Sequence, residues 1–478
     1  MQKEGKPDAD TGVEVVSRKN ETRNLDRGYA PASRLFPADS VQLSDEVLLS
    51  LGESVPGSAN LSQLDSQIPA GYTFLNQFIE HDITCPAGQT GLPGRPRRRL
   101  DLVSVYGNDE TANLLRDLVY PDRMIEGQTI GTGDYGVLHS LPADLPRIVS
   151  GSRPGRALIG DERNDQNLGV AQIHLLFLKL HNRFVDTGMD YHEARNATVQ
   201  HYQSMIINDY LSKILDPGVF NAVLRQPGYI CFGPGSVYLP LEFTTAVFRF
   251  FYSMFKADYE WNHVHKKGGL ASPVKIAQLF QLSELCGNLG GQTRLPTHWI
   301  IDWRHFFDFG VEGQNPRLNM ARKISAGPVS ELDTLFEFPD WKDYGSQNLA
   351  ARILMQGQQL QLASGQTLVD ILNERGLILQ KLCGEQLRTG FDILNLNTPL
   401  WYYILRESEV QQNGDRLGEI GSWLVADTFK RLILDSPNSV LNDTGFSAHA
   451  EILNDRKTIT MPGIIEFTDN INPLLKSG

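Results

Sequence analysis

The chain has 478 residues, 41% of them hydrophobic, with 44 Lys and Arg against 56 Asp and Glu and a net charge of −12. That content can bury a core in one large domain or two smaller ones, and the acidic balance argues against general nucleic-acid binding. No run approaches the ~18 apolar residues of a membrane span, the first twenty residues lack the apolar core of a signal peptide, and Cys85, Cys231, Cys286 and Cys383 form no Cys-x-x-Cys pair. Reduced thiols in a cytoplasmic protein are the expectation.

Residues 1–60 are polar, with Gly, Pro, Ser and Asp clusters, and read as an N-terminal arm around a body formed by 61–478. Tyr72–Thr84 reads as a helix with Phe74/Phe78 and Leu75/Ile79 as apolar pairs, and its Gln77 and His81, four apart, share a face. Taken alone, His81 reads as a buried imidazole satisfied by a neighbour. Pro86–Arg99 is a Gly, Pro and Arg loop. Its Arg95 and Arg97–Arg99 form a solvated or carboxylate-paired run. Pro121–Pro154 is also loop-rich, and its Gly131-Thr-Gly-Asp-Tyr-Gly136 is too irregular for a dinucleotide fingerprint.

The stretch Gly160–Arg183, GDERNDQNLGVAQIHLLFLKLHNR, opens charged and becomes apolar nearly all round, which predicts a buried helix. Asp161, Asn164 and Asp165 are candidate caps at its start. Arg163, which cannot shed its charge, needs an anionic partner from a side chain or a ligand. Further helices are expected over His192–Leu215, over Leu241–Phe255 after a Gly/Pro break at Gly228–Pro240, and over 275–287, 347–362, 366–375 and 419–435. His263 and His265 alternate in the manner of a solvated loop or strand. There is no internal repeat and strand-like runs are few, so the fold reads as mainly α, a single large helical domain with long loops.

Three segments in order, Gln77-Phe-Ile-Glu-His-Asp82, the Gly160-Asp-x-Arg163 to His181-Asn-Arg183 stretch, and Glu242-Phe-Thr-Thr-Ala-Val-Phe-Arg-Phe-Phe-Tyr-Ser253, resemble the animal peroxidase–cyclooxygenase superfamily of haem peroxidases, a bacterial-like member in particular. The resemblance covers about 400 residues. It implies an animal haem peroxidase-like fold, a haem b cofactor, and oxidation of a small organic substrate with hydrogen peroxide or oxygen. His81 would then shuttle a proton of peroxide, Arg163 would stabilise developing charge, and Gln77 would hold water beside them. Glu80 matches a position that can form an ester to the haem edge, whereas Gln166 replaces the second such carboxylate. Asp82 matches a calcium ligand and Asp101 a carboxylate of the companion loop. Arg97 and Val103 stand where that loop has hydroxyl-bearing residues, so one of Arg97, Arg98 and Arg99 is expected in place of the cation.

The proximal segment departs from the family. Its Gly and axial His positions are Phe251 and Tyr252. In Asn348-Leu-Ala-Ala-Arg-Ile-Leu-Met-Gln-Gly-Gln358, the positions of the Asn that orients that His and the Arg that meets a propionate are Ile353 and Gln356. Two readings follow. Tyr252 is the axial ligand as a tyrosinate, a type known in catalases, at a cost of about 4 kcal/mol for ionising a phenol at pH 7 unless iron or a cation supplies it. Otherwise Phe251 and Tyr252 fill the porphyrin's space in a haem-free protein repurposed for non-redox catalysis or binding. Neither reading identifies the substrate or the oligomeric state.

Overall fold

A computed structural model of the chain describes residues 34–38, 41–53, 65–84, 99–107, 112–225, 229–232, 239–310, 317–327, 330–333 and 348–475. Cys85, Arg95, Arg97, Arg98 and residues 1–33 of the arm lie outside them. Helices α1 (Asp45–Glu53), α2 (Gly71–Ile83), α3 (Leu168–Asp186), α4 (Tyr191–Met205), α5 (Leu349–Gln359), α6 (Leu400–Gln412) and α7 (Glu419–Leu434) carry the core, with shorter helical turns between them. Sheet is confined, among the described residues, to two small antiparallel pairs: β1 (Asp65–Pro69) with β4 (Met320–Arg322), and β2 (Asp258–Tyr259) with β3 (Val274–Lys275). No helix among the described residues is long and apolar enough to cross a membrane.

The centre of the core is α3 against α2 and α4. Phe177 on α3 stacks on Phe78 of α2 with centroids 5.0 Å apart, and Tyr202 of α4 stands edge-on to Phe177 at 5.2 Å. Gly169 permits the close approach, because a Cβ there would come within 2.4 Å of the Phe74 ring. The caps of this region differ from the expectation. Asp161 caps a 3-10 turn over Glu162–Asp165 by accepting from Arg163 N, and Asn167 caps α3 by accepting from Val170 N. Asn164 and Asp165 turn their side chains to other partners.

The helix expected over 192–215 is α4, opened by a capping box of Asp190 and Glu193, followed by a π-helical stretch over Ile206–Leu211 and a last turn at Ser212–Ile214. The widened turn sets two consecutive side chains on α2: Asp209 accepts from the Tyr72 hydroxyl at 2.7 Å, and the Tyr210 hydroxyl donates to Asn76.

The segment expected as one helix over 241–255 is two. An α-helix at Leu241–Thr245 breaks at Ala246, and a 3-10 helix runs from Val247 to Met254. At the break Arg249 Nε donates to Thr244 O at 3.1 Å, so the carbonyl that a continuing helix would use is satisfied by a side chain. Within the part of the arm that is described, α1 buries Leu48 and Leu51 against α5, where Gly52 lies so close that a Cβ would stand 2.8 Å from Ala351 N. Cys231, Cys286 and Cys383 are free thiols. His265 is buried rather than solvated, its ring stacked on Trp299 at 4.1 Å.

Candidate functional site

One wall of the site is the C-terminal half of α2, and the turn that precedes α3 covers it. Gln77 and His81 are both buried, as their shared helix face requires. Gln77 is fully engaged by that turn: its Nε2 donates to Gln166 Oε1 at 3.2 Å, and its Oε1 accepts from Asn167 Nδ2 at 2.9 Å. Gln77 and Gln166, placed by the sequence at a water site and a haem-edge site, are therefore partners of each other.

His81 is 3% exposed, and its Nδ1 lies 2.9 Å from Asn164 Oδ1. The Asn164 Nδ2 in turn meets His174 Nδ1 at 2.9 Å. The sequence offered Asn164 only as a helix cap and did not single out His174, although a histidine inside an all-apolar helix already demands a buried partner. Burial first, then the Arg163 charge, lowers His81 to about 3, against the opposing pull of Asp161 and Asn164.

The anionic partner that Arg163 requires is Asp161. The guanidinium is 23% exposed on its side chain and forks onto Asp161 through Nε (3.1 Å to either oxygen) and Nη2 (2.7 Å). Its Nη2 also donates to His81 O at 2.8 Å and its Nη1 to Thr84 Oγ1 at 3.1 Å, so Arg163 satisfies a last-turn carbonyl of α2 at the negative end of that helix. Burial alone would raise the Asp161 carboxyl, but the Arg163 charge and hydrogen bonds outweigh it and hold the group below its usual range.

The opposite wall is the 3-10 segment. Residues three apart eclipse one another there, so Arg249 and Tyr252 share one face of the segment. Arg249 Nη1 donates to Gln356 Oε1 at 2.6 Å, and the Trp401 indole donates to Arg249 O at 3.3 Å. Phe251 and Tyr252 are 0% and 3% exposed, their rings 4.4 Å apart and tilted by 30°. Burial, and then Glu80, hold the Tyr252 phenol well above its usual value; Arg249, Arg163 and Arg352 pull the other way without offsetting them. Glu80 is likewise raised by burial and lowered by Arg249 and then Arg163. Arg249 and Arg163 therefore act on both Glu80 and Tyr252, and Arg352 on Tyr252 alone. Ile353 is buried and carries no donor for a ligand at Tyr252.

Haem requires an axial donor, cations for its carboxylates and a flat space. Tyr252 is a donor of a type that ferric haem accepts, and Arg249 of the same segment and Arg352 of α5 offer cationic charge although Gln356 replaces the family's Arg. The donor set fits. The buried, tilted pair Phe251–Tyr252 puts two rings where the family has Gly and His. Calcium fits less well. Both oxygens of the wholly buried Asp82 accept backbone N–H groups, from Ser104 and Leu102 at 3.2 Å each. Those positive dipole ends stand where a calcium ion needs oxygens. Burial and then Asp101 push the Asp82 carboxyl up to about 8. Among the described residues no group of three or more His, Cys, Asp or Glu is placed to hold a metal. Arg99 is described and exposed, whereas the expected partners Arg97 and Arg98 fall outside the described residues.

Residues 98–286 match the animal haem peroxidase family, a span that contains Arg163 and Tyr252 but not Gln77 or His81. A peroxidasin homolog from Mus musculus is 22% identical over 435 residues, covering 82% of this chain and 27% of that protein. Peroxidasin homolog pxn-2 of Caenorhabditis elegans is 26% identical over 171 residues, covering 32% of this chain and 13% of its own length. The matches thus span 27% and 13% of the lengths of these two relatives. The solved structure of peroxidase A from Dictyostelium discoideum has the same fold, with a TM-score of 0.60 at 15% identity over 94% of this chain and 95% of that one.

Proposed function

We propose, from the premise that this chain belongs to the animal haem peroxidase superfamily, that it is a peroxidase-type oxidoreductase using hydrogen peroxide on a small organic substrate, in which Tyr252 would hold the iron of a haem. The observation that carries this reading is the His81–Asn164 hydrogen bond beside Arg163. It sets a neutral imidazole next to a cation that cannot lose its charge, which is the pairing that accepting a proton from peroxide requires. His81 Nε2 takes the proton from the attacking oxygen and returns it to the leaving one. Arg163, clamped by Asp161, keeps its field on the charge that develops as the O–O bond breaks. Burial outweighs the pull of Arg249, Arg163 and Arg352 at Tyr252, so the bound iron itself would have to supply the charge that makes the phenol a phenolate. Haem would supply the iron at which the O–O bond is cleaved.

The test is a haem titration followed by gel filtration. A Soret band should co-elute with the protein, and Tyr252→Phe should weaken its retention. His81→Ala should keep the haem yet lose roughly 100-fold or more of peroxide-dependent phenol oxidation. One observation favours a second reading, a haem-free protein with a repurposed pocket: the buried ring pair Phe251–Tyr252. If haem in excess never co-elutes, that second reading replaces the first.

A further inference from the structure

Both distal groups hang from one turn. Asp161 N donates to Ser104 O, Asp161 fixes Arg163, and the next side chain, Asn164, lies between two histidines from different elements, His81 of α2 and His174 of α3. All three members of this chain are buried, so none exchanges its partner for water. An amide differs at its two ends: Oδ1 only accepts and Nδ2 only donates. With Oδ1 towards His81 and Nδ2 towards His174, the His81 Nδ1 must carry a hydrogen and the His174 Nδ1 must carry a lone pair.

We propose that Asn164 is a positioning residue that fixes the proton of His81 on Nδ1 and leaves Nε2 as its basic nitrogen, and that His174 fixes the orientation of the Asn164 amide. The proposal deepens the peroxidase reading and rests on it for its catalytic meaning. A ring nitrogen acts as a base only while the other holds the hydrogen, and the hydrogen bond made by the other nitrogen decides which is which. An aspartate at 164 would accept from both rings and place a charge among buried groups. The amide gives the two histidines opposite tautomers and adds no charge. With the amide turned round, His81 would carry its hydrogen on Nε2 and could not begin the reaction.

The experiment reads tautomers in the protein as purified, without added haem or peroxide, so it stands apart from the haem titration. Long-range proton–nitrogen correlation spectra are recorded on protein with 15N-labelled histidine, and His81→Ala and His174→Ala assign the two rings. The expected result is His81 protonated at Nδ1 and His174 at Nε2. In Asn164→Asp both rings should be protonated at Nδ1, so His81 keeps its tautomer while His174 changes. In Asn164→Leu His81 should lose its fixed tautomer, a response that mere loss of packing would not reverse in the aspartate variant. If the leucine variant does not fold, His174→Phe is the second variant, expected to mix the two His81 tautomers by freeing the amide to turn. A wild-type His81 protonated at Nε2, or one that stays wholly Nδ1–H in Asn164→Leu or His174→Phe, overturns the proposal. Where haem binds, Asn164→Leu should lower kcat with little change in KM or in the Soret band. Failure of haem to bind leaves the tautomer result intact and removes only its catalytic meaning.

Discussion

At the scale of single residues, the placement of Gln77, His81 and Arg163 was readable because it follows from side-chain types at fixed spacing. Gln77 and His81 share a helix face, and Arg163 follows a capping Asp by two residues. The pairing of Asn164 with His174 was not readable, because a turn residue meets a helix residue ten positions on only after the chain folds. The proximal departures at Phe251, Tyr252 and Ile353 were visible as letters, but their consequence, a tilted and buried ring pair, is a packing fact. That pair makes a prediction. Phe251→Gly with Tyr252→His should restore room and an imidazole together and raise haem affinity, whereas either change alone should do less, since neighbours in contact are not additive. Adding Ile353→Asn should help further by orienting the new ring N–H. A glycine inside a helix costs about 1 kcal/mol, so a small loss of stability is expected. The measurement is haem affinity by Soret titration. No gain in the triple variant would mean that the site has diverged beyond this wall.

At the scale of elements, apolar periodicity placed α2, α3, α5 and α7 within a few residues of their ends. It failed where a side chain satisfies a backbone carbonyl, as Arg249 does at Thr244 O, and where a short amphipathic turn lies in a polar arm, as α1 does. It also gave no sign of what ties the loops to the helices. Arg147 bridges two buried carboxylates, Asp144 with both contacts at 2.9 Å and Asp165 at 2.7 and 3.0 Å, and donates to Gly155 O. Asp144 and Asp165 in turn accept from Leu295 N and Glu284 N. The triad therefore joins the loop before α3, the turn that carries Arg163 and the 284–295 segment. Arg147→Met would leave two carboxylates unpaired in the interior, and removing one partner of such a group costs about 3–5 kcal/mol. Urea unfolding should show a loss of that order, and a loss below about 1 kcal/mol would mean that the triad is solvated in solution.

At the scale of the whole molecule, composition and periodicity conveyed a mainly α body, but not how many ionisable groups it buries. Those groups fix how stability depends on pH. Burial lowers His81 and His174 to about 3, and His181, His201 and His265 to about 4, from a usual 6.5. The unfolded chain binds these protons near pH 6.5 and the folded chain does not, so their contribution is full above that value and is lost as the pH falls towards 4. Burial pushes Asp82, helped by Asp101, and Glu407 up to about 8. The folded chain therefore keeps two protons that the unfolded chain gives up at about pH 4, and this contribution is full in acid and is lost as the pH rises through 8. From pH 8 down towards 6.5 only the carboxyls act and stability rises. Below 6.5 these five imidazoles act against Asp82 and Glu407, and the part of the stability that these seven groups carry falls. The melting temperature should peak at about pH 6–7. Glu407→Gln should flatten the alkaline limb, because an amide can accept from Ile420 N and Gly421 N without releasing a proton. His174→Phe should soften the acid limb instead. A melting temperature that climbs steadily from pH 6 to pH 9, unaltered by Glu407→Gln, would mean that Asp82 and Glu407 are charged in the folded chain and that water or a cation reaches them.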